Sequence, residues 1–351
     1  MSVIKSMAKG AIAAYYDYHY QKWHKEYAFR WLKAIESEKG KLSGAVIKRC
    51  DEYAVEVLGW KGYARWLYAY SAVAGEFREG WITEDYYEKK VIPKIKHDYY
   101  ILSNIRPLAT KLFDANFFPD IACYSNGFFT DQTFKVLPPE SLKEYLFSEN
   151  KKIVYKTNAS MRGEGVHIYT PENFDPNAIK ALGNGVFQGY IEQHEFFDQF
   201  SSNSVATLRV TSVVNGAGKS SLRAAYLRLG RDSDDCVLSK NAVKIPIDAT
   251  TGELQPAGYM PDMSTIDKHP DTHVLFEGKA IPNFGKMVAA INEQHAKMPF
   301  DPCIGWDVAI DKNEKIRLIE WNGRLNGIKF SEATTGPCFK DLGWENLWRK
   351  G

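Results

Sequence analysis

The chain has 351 residues and nearly balanced charge, 45 Lys and Arg against 43 Asp and Glu, for a formal net charge of +2. Apolar residues make up 44% and charged residues 25%, which excludes a disordered or fibrous chain. The charge balance gives no electrostatic case for wrapping nucleic acid or lying on an anionic membrane.

No run of about eighteen apolar residues occurs, so no transmembrane segment is expected. The start, Met1-Ser-Val-Ile-Lys-Ser6, lacks the apolar core of a secretory signal. Cys50, Cys123, Cys236, Cys303 and Cys338 are scattered, with no C-x-x-C pair, which argues against a disulfide framework and a zinc site. A reducing, cytoplasmic setting is expected.

The first proline is Pro93. Before it, stretches such as 45–58 repeat apolar residues every three or four positions, the helical period, and proline would break such helices. Residues 1–100 therefore read as an N-terminal region of three to five helices, the last starting near a capping Thr83. Tyr15, Tyr16, Tyr18, Tyr20, Trp23, Tyr27 and Trp31 crowd its first part. They fit a stacking surface for a sugar or base, or ordinary helix packing, the simpler reading.

From residue 101 the pattern predicts mixed α and β structure. Short β-branched or aromatic runs predict strands at 152–156, 185–188, 205–214 and 221–228. Helices are predicted from Pro139 to about Ser148 and from Asn283 to about Met298, the latter with an apolar stripe of Phe284, Met287, Val288 and Ile291.

Four features carry possible chemistry. Lys156 ends a strand and enters a polar loop in which Gly163 and Gly165 let backbone N–H groups approach an anion, with the lysine as a point charge for the same phosphates. Gly218-Lys219-Ser220 lacks the earlier glycine of a Walker loop, and Asn215–Gly218 reads as a hairpin turn. In 187–195, backbone groups near Ile191 and Glu192 suit a base edge, followed by an acid for ribose hydroxyls. Arg209 and Arg228 offer forked donors for a phosphoryl group, or pair with structural acids.

The fourth feature is 304–324, read as two strands joined by a turn at 312–315. That register sets Asp307 across from Glu320, with Asn322 on the same face and Trp306, Val308, Ile310, Ile319 and Trp321 opposite. Facing carboxylates repel unless a cation lies between them, and this donor set suits Mg2+; the alternative is a surface hairpin with solvated acids.

In this order, the strand lysine with its glycine loop, Gln188-Gly-Tyr-Ile-Glu192, Thr207-Leu-Arg-Val210 and Asp307 with Glu320-Trp-Asn322 resemble the ATP-grasp superfamily. Ser204–Val210, His269-Pro-Asp-Thr272 and Ile304-Gly-Trp-Asp307 look like its sugar-transfer-associated group, over about residues 100–340. The resemblance implies an α+β chain with an ATP-grasp fold, two α/β lobes clamping ATP, after the N-terminal helical region. The implied division is 1–100 helical, 101–186 small lobe and 187–351 large lobe.

The resemblance further implies nucleotide contacts from Lys156, a lid at 158–165 that includes Ser160, Gly163 and Gly165, an adenine slot at Gln188, Ile191 and Glu192, and a ribose acid at Glu195. Arg209 would neutralise the transferred phosphoryl group, Arg228 would assist, and Asn241 would face the substrate. Asp307, Glu320 and Asn322 would hold one or two Mg2+ ions, with Mn2+ as a substitute. Two positions depart from the family pattern: the first small-lobe lysine is replaced by Arg106, with Lys111 as the alternative, and Ala206 stands where an Asn precedes T-L-R-V.

The expected function is an ATP- and Mg2+-dependent carboxylate–amine ligase working through an acyl phosphate. By family analogy its partners are a sugar acid and an amine or amino acid in surface polysaccharide biosynthesis. The alternative is a kinase acting on a sugar or polyol hydroxyl, which needs a base such as Asp307 or His269. A non-catalytic nucleotide-binding or scaffolding protein is the third reading.

Overall fold

The computed structural model describes residues 2–158, 165–231, 237 and 240–349. It forms two compact units, one of Met1–Val91, Asp262–Ser264 and Ile328–Gly351, the other of Ile92–Pro261 and Thr265–Gly327.

The first unit is helical, as the proline-free sequence requires: α1 (Ser2–Lys39), α2 (Gly44–Glu56), α3 (Ala64–Ala74) and short turns from Glu84 onward. Ser43 caps α2, and the Thr83 hydroxyl accepts the Tyr86 N–H at 3.4 Å, the start expected there. Trp31, Trp66, Tyr70 and Trp81 are buried, with the Trp31 and Trp66 rings edge to face at 5.4 Å. The C-terminal segment, attached to the large lobe on sequence grounds, packs with these helices instead. Phe339 stacks with Tyr87 and with Trp344, and the Glu332 carboxylate accepts from the N–H groups of Ile82 and Cys338.

Packing explains only part of the aromatic crowd. Trp31 is buried, whereas Tyr15, Tyr16, Tyr18 and Trp23 are 60%, 69%, 64% and 41% exposed. The reason is length: α1 has 38 residues and α3 only 11, and the polar contacts of α3 with α1 begin at Gln21, whose carbonyl accepts from Arg65.

The second unit holds two antiparallel sheets. The first contains β1 (Asp120–Ser125), β2 (Phe128–Asp131), β3 (Val136–Leu137), β4 (Ile153–Thr157), β5 (Val166–Tyr169) and β6 (Gly185–Gly189), in the order β3-β2-β1-β6-β4-β5. Helices Pro139–Phe147 and Pro176–Leu182 cover it, burying Leu142, Leu146 and Ile179 against Ile153, Tyr155 and Phe187. The 186/187 division expected from the sequence runs through β6, an inner strand of this sheet.

The second sheet contains β7 (Thr207–Val214), β8 (Ser220–Leu229), β9 (Val243–Ile247), β10 (Gly258–Tyr259), β11 (Thr265–Ile266), β12 (Cys303–Ile310) and β13 (Ile316–Asn322), ordered β11-β10-β9-β8-β7-β12-β13. Phe284, Met287 and Ile291, three of the four predicted stripe residues, join Trp306, Val308 and Leu318 in its core, and the fourth, Val288, is partly buried against it. Asn215–Gly218 is the turn between β7 and β8, with Gly218 N–H donating to the Asn215 carbonyl.

The β12–β13 hairpin pairs Asp307 with Glu320 and Gly305 with Asn322, as the sequence predicts. The route differs. The turn pairs Ile310 with Ile316, and an irregularity between Asp307 and Val308 shifts the register by one residue. Leu318 therefore fills the core position expected of Ile319, and Ile319 is half-buried beside Glu320.

Candidate functional site

Strand register builds one charged row across the second sheet. Arg209 on β7 lies opposite Asp307 on β12, which lies opposite Glu320 on β13, while Arg228 on β8 pairs with Thr207, two residues before Arg209. The other side of these strands packs Leu208, Val210, Leu227 and Val308 into the core, so period-two alternation leaves the charges on one face.

The row is internally neutralised. Arg209 donates from Nε to Asp307 Oδ1 at 2.6 Å and from Nη2 to Oδ2 at 3.2 Å, and Arg228 Nη2 reaches Oδ1 at 2.9 Å. Burial alone would raise the Asp307 pKa, but the two guanidinium groups outweigh it and hold the carboxyl at about 2. Burial opposes the charge of Arg209, and Asp307 more than compensates, raising its pKa. The arginines thus pair with an acid, the plainer of the two readings open to them. Repulsion between Asp307 and Glu320 accordingly gives no independent case for a cation.

Glu320 is answered by Arg106, whose Nη1 lies 2.9 Å from Oε2. Arg106, expected at the nucleotide, thus pairs here with a carboxylate of the expected metal set. Lys111, the alternative, holds its ammonium 5.0 Å from the Phe134 ring centroid.

Lys156 on β4 belongs to the same electrostatic group. Burial, then the neighbouring Arg106 charge, lower its pKa to about 8 against the pull of Glu320, Asp120 and Asp307. Gln188 on β6 is buried and donates to Asp120 Oδ1 at 2.6 Å and to the Ile319 carbonyl at 3.3 Å. Burial raises the Asp120 pKa to about 6, opposed by the Gln188 hydrogen bond, Lys156 and Arg106. Asp120, Gln188, Arg106, Ile319 and Glu320 line one narrow cleft. Asp120 escaped the sequence reading because its strand is short and lacks a clean alternation.

The remaining nucleotide residues fall elsewhere. Ile191, Glu192 and Glu195 line a cavity of about 580 Å3 with Asp198, Ser204 and Lys312, and Gln188 is not among its walls. β6 ends at Gly189, and the chain then runs on to Gln193, which bridges to Asp311 just beyond β12. The Glu192 carboxylate is exposed and pairs with Lys312. Ser160 and Gly163 lie outside the described residues; Gly165 accepts from the Thr157 N–H at 3.1 Å where the loop returns. Asn241 is half-buried in the turn before β9, three residues before Lys244, the register partner of Arg228.

The donor set at the head of the hairpin suits a hard divalent cation. Glu320 is 32% exposed at its side chain and Arg106 engages its Oε2, while Asn322 uses its amide nitrogen on the Gly305 carbonyl at 3.2 Å, leaving an oxygen of each as ligand. Asp307 would join only by sharing oxygens already held by arginine. Among the described residues no group of three or more His, Cys, Asp or Glu could hold a metal, so an amide or substrate oxygens must complete the shell.

Residues 176–342 match the family model described as sugar-transfer associated ATP-grasp. No curated protein matches the sequence. Among solved structures, the ATP-grasp ligase PsnB, complexed with a phosphomimetic variant of minimal precursor, Mg and ADP, is 12% identical over 73% of this chain and 61% of its own, with a TM-score of 0.41. Biotin carboxylase from Campylobacter jejuni is 14% identical over 91% and 68%, with a TM-score of 0.45. D-alanyl-alanine synthetase A from Vibrio cholerae O1 biovar eltor is 12% identical over 70% and 65%, with a TM-score of 0.42. This chain spans 61% to 64% of the first such structures.

Proposed function

We propose that the chain, whose residues 176–342 match the sugar-transfer associated ATP-grasp family model, is an ATP- and Mg2+-dependent carboxylate–amine ligase. The observation that carries this reading is the convergence of Lys156, Arg209, Arg228, Asp307 and Glu320 in one electrostatic cluster built from both sheets of the second unit.

Phosphoryl transfer asks a protein mainly for alignment and charge neutralisation. Lys156 and Arg209 supply the cationic side, Arg209 locked in orientation by its fork on Asp307. Arg228, held on the same carboxylate, assists, and Asn241 faces the substrate. The nucleotide would lie along Lys156 and Gln188, with Ile191, Glu192 and Glu195 at its far end; the lid expected at 158–165 falls largely outside the described residues. Glu320 and Asn322, with Asp307, would hold Mg2+, which when bound would offset phosphate charge. A carboxylate oxygen of the substrate attacks the γ-phosphorus, ADP leaves, and the acyl phosphate carbon then accepts the amine. The amine loses a proton and inorganic phosphate departs with the C–O bond pair.

The substrates are a small carboxylate, a sugar acid by family analogy, and an amine or amino acid in surface polysaccharide assembly. Neither base named for the kinase alternative suits it. Asp307 is held near 2 by two arginines, and His269 is fully buried, with Nε2 3.1 Å from the Gly230 carbonyl oxygen. No helix among the described residues is long and apolar enough to cross a membrane, and a cytoplasmic setting belongs to the proposal. The test is a screen of acid and amine pairs for ADP formation, with mass analysis of the product. Phosphate release that needs both acid and amine supports the ligase, and a stable phosphosugar formed without an amine refutes it.

A further inference from the structure

Lys96 lies outside the family match and was not singled out in the sequence, yet its ammonium is fully buried at the end of the helical turn Ile92–Ile95. It donates to the carbonyl oxygens of Cys303 and Gly323 and, at 2.9 Å, to Asn326 Oδ1, with Asp301 Oδ1 at 3.4 Å as counter-charge. Each tie has a consequence. Cys303 opens β12, four residues before Asp307. Gly323 directly follows Asn322. Asn326, also fully buried, donates its amide N–H to the Cys303 carbonyl at 2.8 Å, and its own carbonyl accepts Arg209 Nη1 at 2.8 Å.

One buried charge therefore fixes both ends of the loop 323–326, and that loop carries the acceptor that orients Arg209 and adjoins Asn322. The loop lies tight on the pair beneath it: a Cβ at Gly323 would fall 2.3 Å from Asp301 Oδ2. Bulk stability alone does not call for this arrangement, since well-packed apolar residues commonly replace buried ion pairs without loss.

We propose that Lys96 is a positioning residue, setting the place of Arg209 and Asn322 through loop 323–326. The inference rests on the ligase reading for what those two residues do, but not for the loop geometry itself.

Lys96→Met and Asn326→Ala are the variants, the second retaining Lys96 and every backbone carbonyl should the first fail to fold. Backbone hydrogen exchange reads the geometry without turnover. Amides of 323–327 should exchange at least tenfold faster, with those of β12 beyond Trp306 unchanged. Uniform loosening of the unit, or an unchanged loop, overturns the proposal. Mg·ADP titration and steady-state ATP turnover read the consequence. A 10- to 100-fold loss in kcat is expected, the range typical of residues that orient a site's ligands. Combining Lys96→Met with Arg209→Lys should cost little beyond Arg209→Lys alone, whereas multiplicative losses overturn the route through Arg209. If the wild type turns over no acid and amine pair, the ligase reading fails while the exchange result still judges Lys96.

Discussion

Arg209 and Asp307 stand directly opposite each other on neighbouring strands, joined by a two-pronged contact of 2.6 and 3.2 Å that Arg228 extends at 2.9 Å. The three side chains are 11% to 17% exposed, so the pairing is largely shielded from water. Removing one member of such a group costs far more than the pair contributes, because the partners stay buried with their charge unanswered.

Asp307→Asn should lower unfolding free energy by about 3–5 kcal/mol and abolish ATP turnover, read by urea denaturation and an ADP assay. Adding Arg228→Met should restore part of the stability and none of the turnover. Equal stability of Asp307→Asn and wild type would contradict the shielded-pair account.

Arg106 offers a test with opposite signs. Its guanidinium holds Glu320 at 2.9 Å, so a cation approaching Glu320 competes with it. Arg106→Met should tighten Mg2+ binding severalfold in calorimetric titration. Weaker Mg2+ and nucleotide binding would mean that Arg106 contacts the nucleotide, as its sequence position suggested.

Lys156, with its pKa lowered to about 8 by burial and by Arg106, sets a pH dependence. Below that value it is an ammonium ready for phosphate. Above it, nucleotide binding must take up a proton, so affinity should fall about tenfold per pH unit. Stability runs the other way: from about 8 to the ordinary lysine value the unfolded chain holds the proton that the folded chain lacks, so rising pH favours folding. Lys156→Met should abolish both slopes, measured by titration calorimetry and denaturation between pH 7 and 10.

Much of this was legible from strand periodicity. Asp307, Glu320 and Arg209 share a row because two-residue alternation and hairpin pairing dictate it, and the residue types are plain in the sequence. What escaped was long-range or irregular. The shift after Asp307 exchanged Ile319 for Leu318 in the core, and no sequence signal marks a bulge. Asp120 and Lys96 reach their partners across 68 and 230 positions, Gln188 and Asn326 respectively, distances at which pattern gives no pairing. The exposed Tyr15, Tyr16 and Tyr18 were misjudged because helical period says where a stripe lies and nothing about how far the neighbouring helix extends.

Gln188 and Glu192, which line different cavities, distinguish two substitutions. Glu192→Gln removes an exposed, solvent-screened pair with Lys312 and should change nucleotide affinity less than twofold. Gln188→Ala strips the buried Asp120 carboxylate of a hydrogen bond and should cost about 1–3 kcal/mol of stability. Comparable effects from the two would contradict the separation.

The most direct test is a crystal structure with Mn2+ and a non-hydrolysable ATP analogue, read by anomalous scattering. The expected metal peak lies within coordination distance of Glu320 and Asn322 oxygens, about 2.0–2.2 Å, with the phosphates facing Lys156 and Arg209. A nucleotide bound with its metal away from Glu320 and Asn322, or held wholly within the 190–205 cavity, would contradict the account.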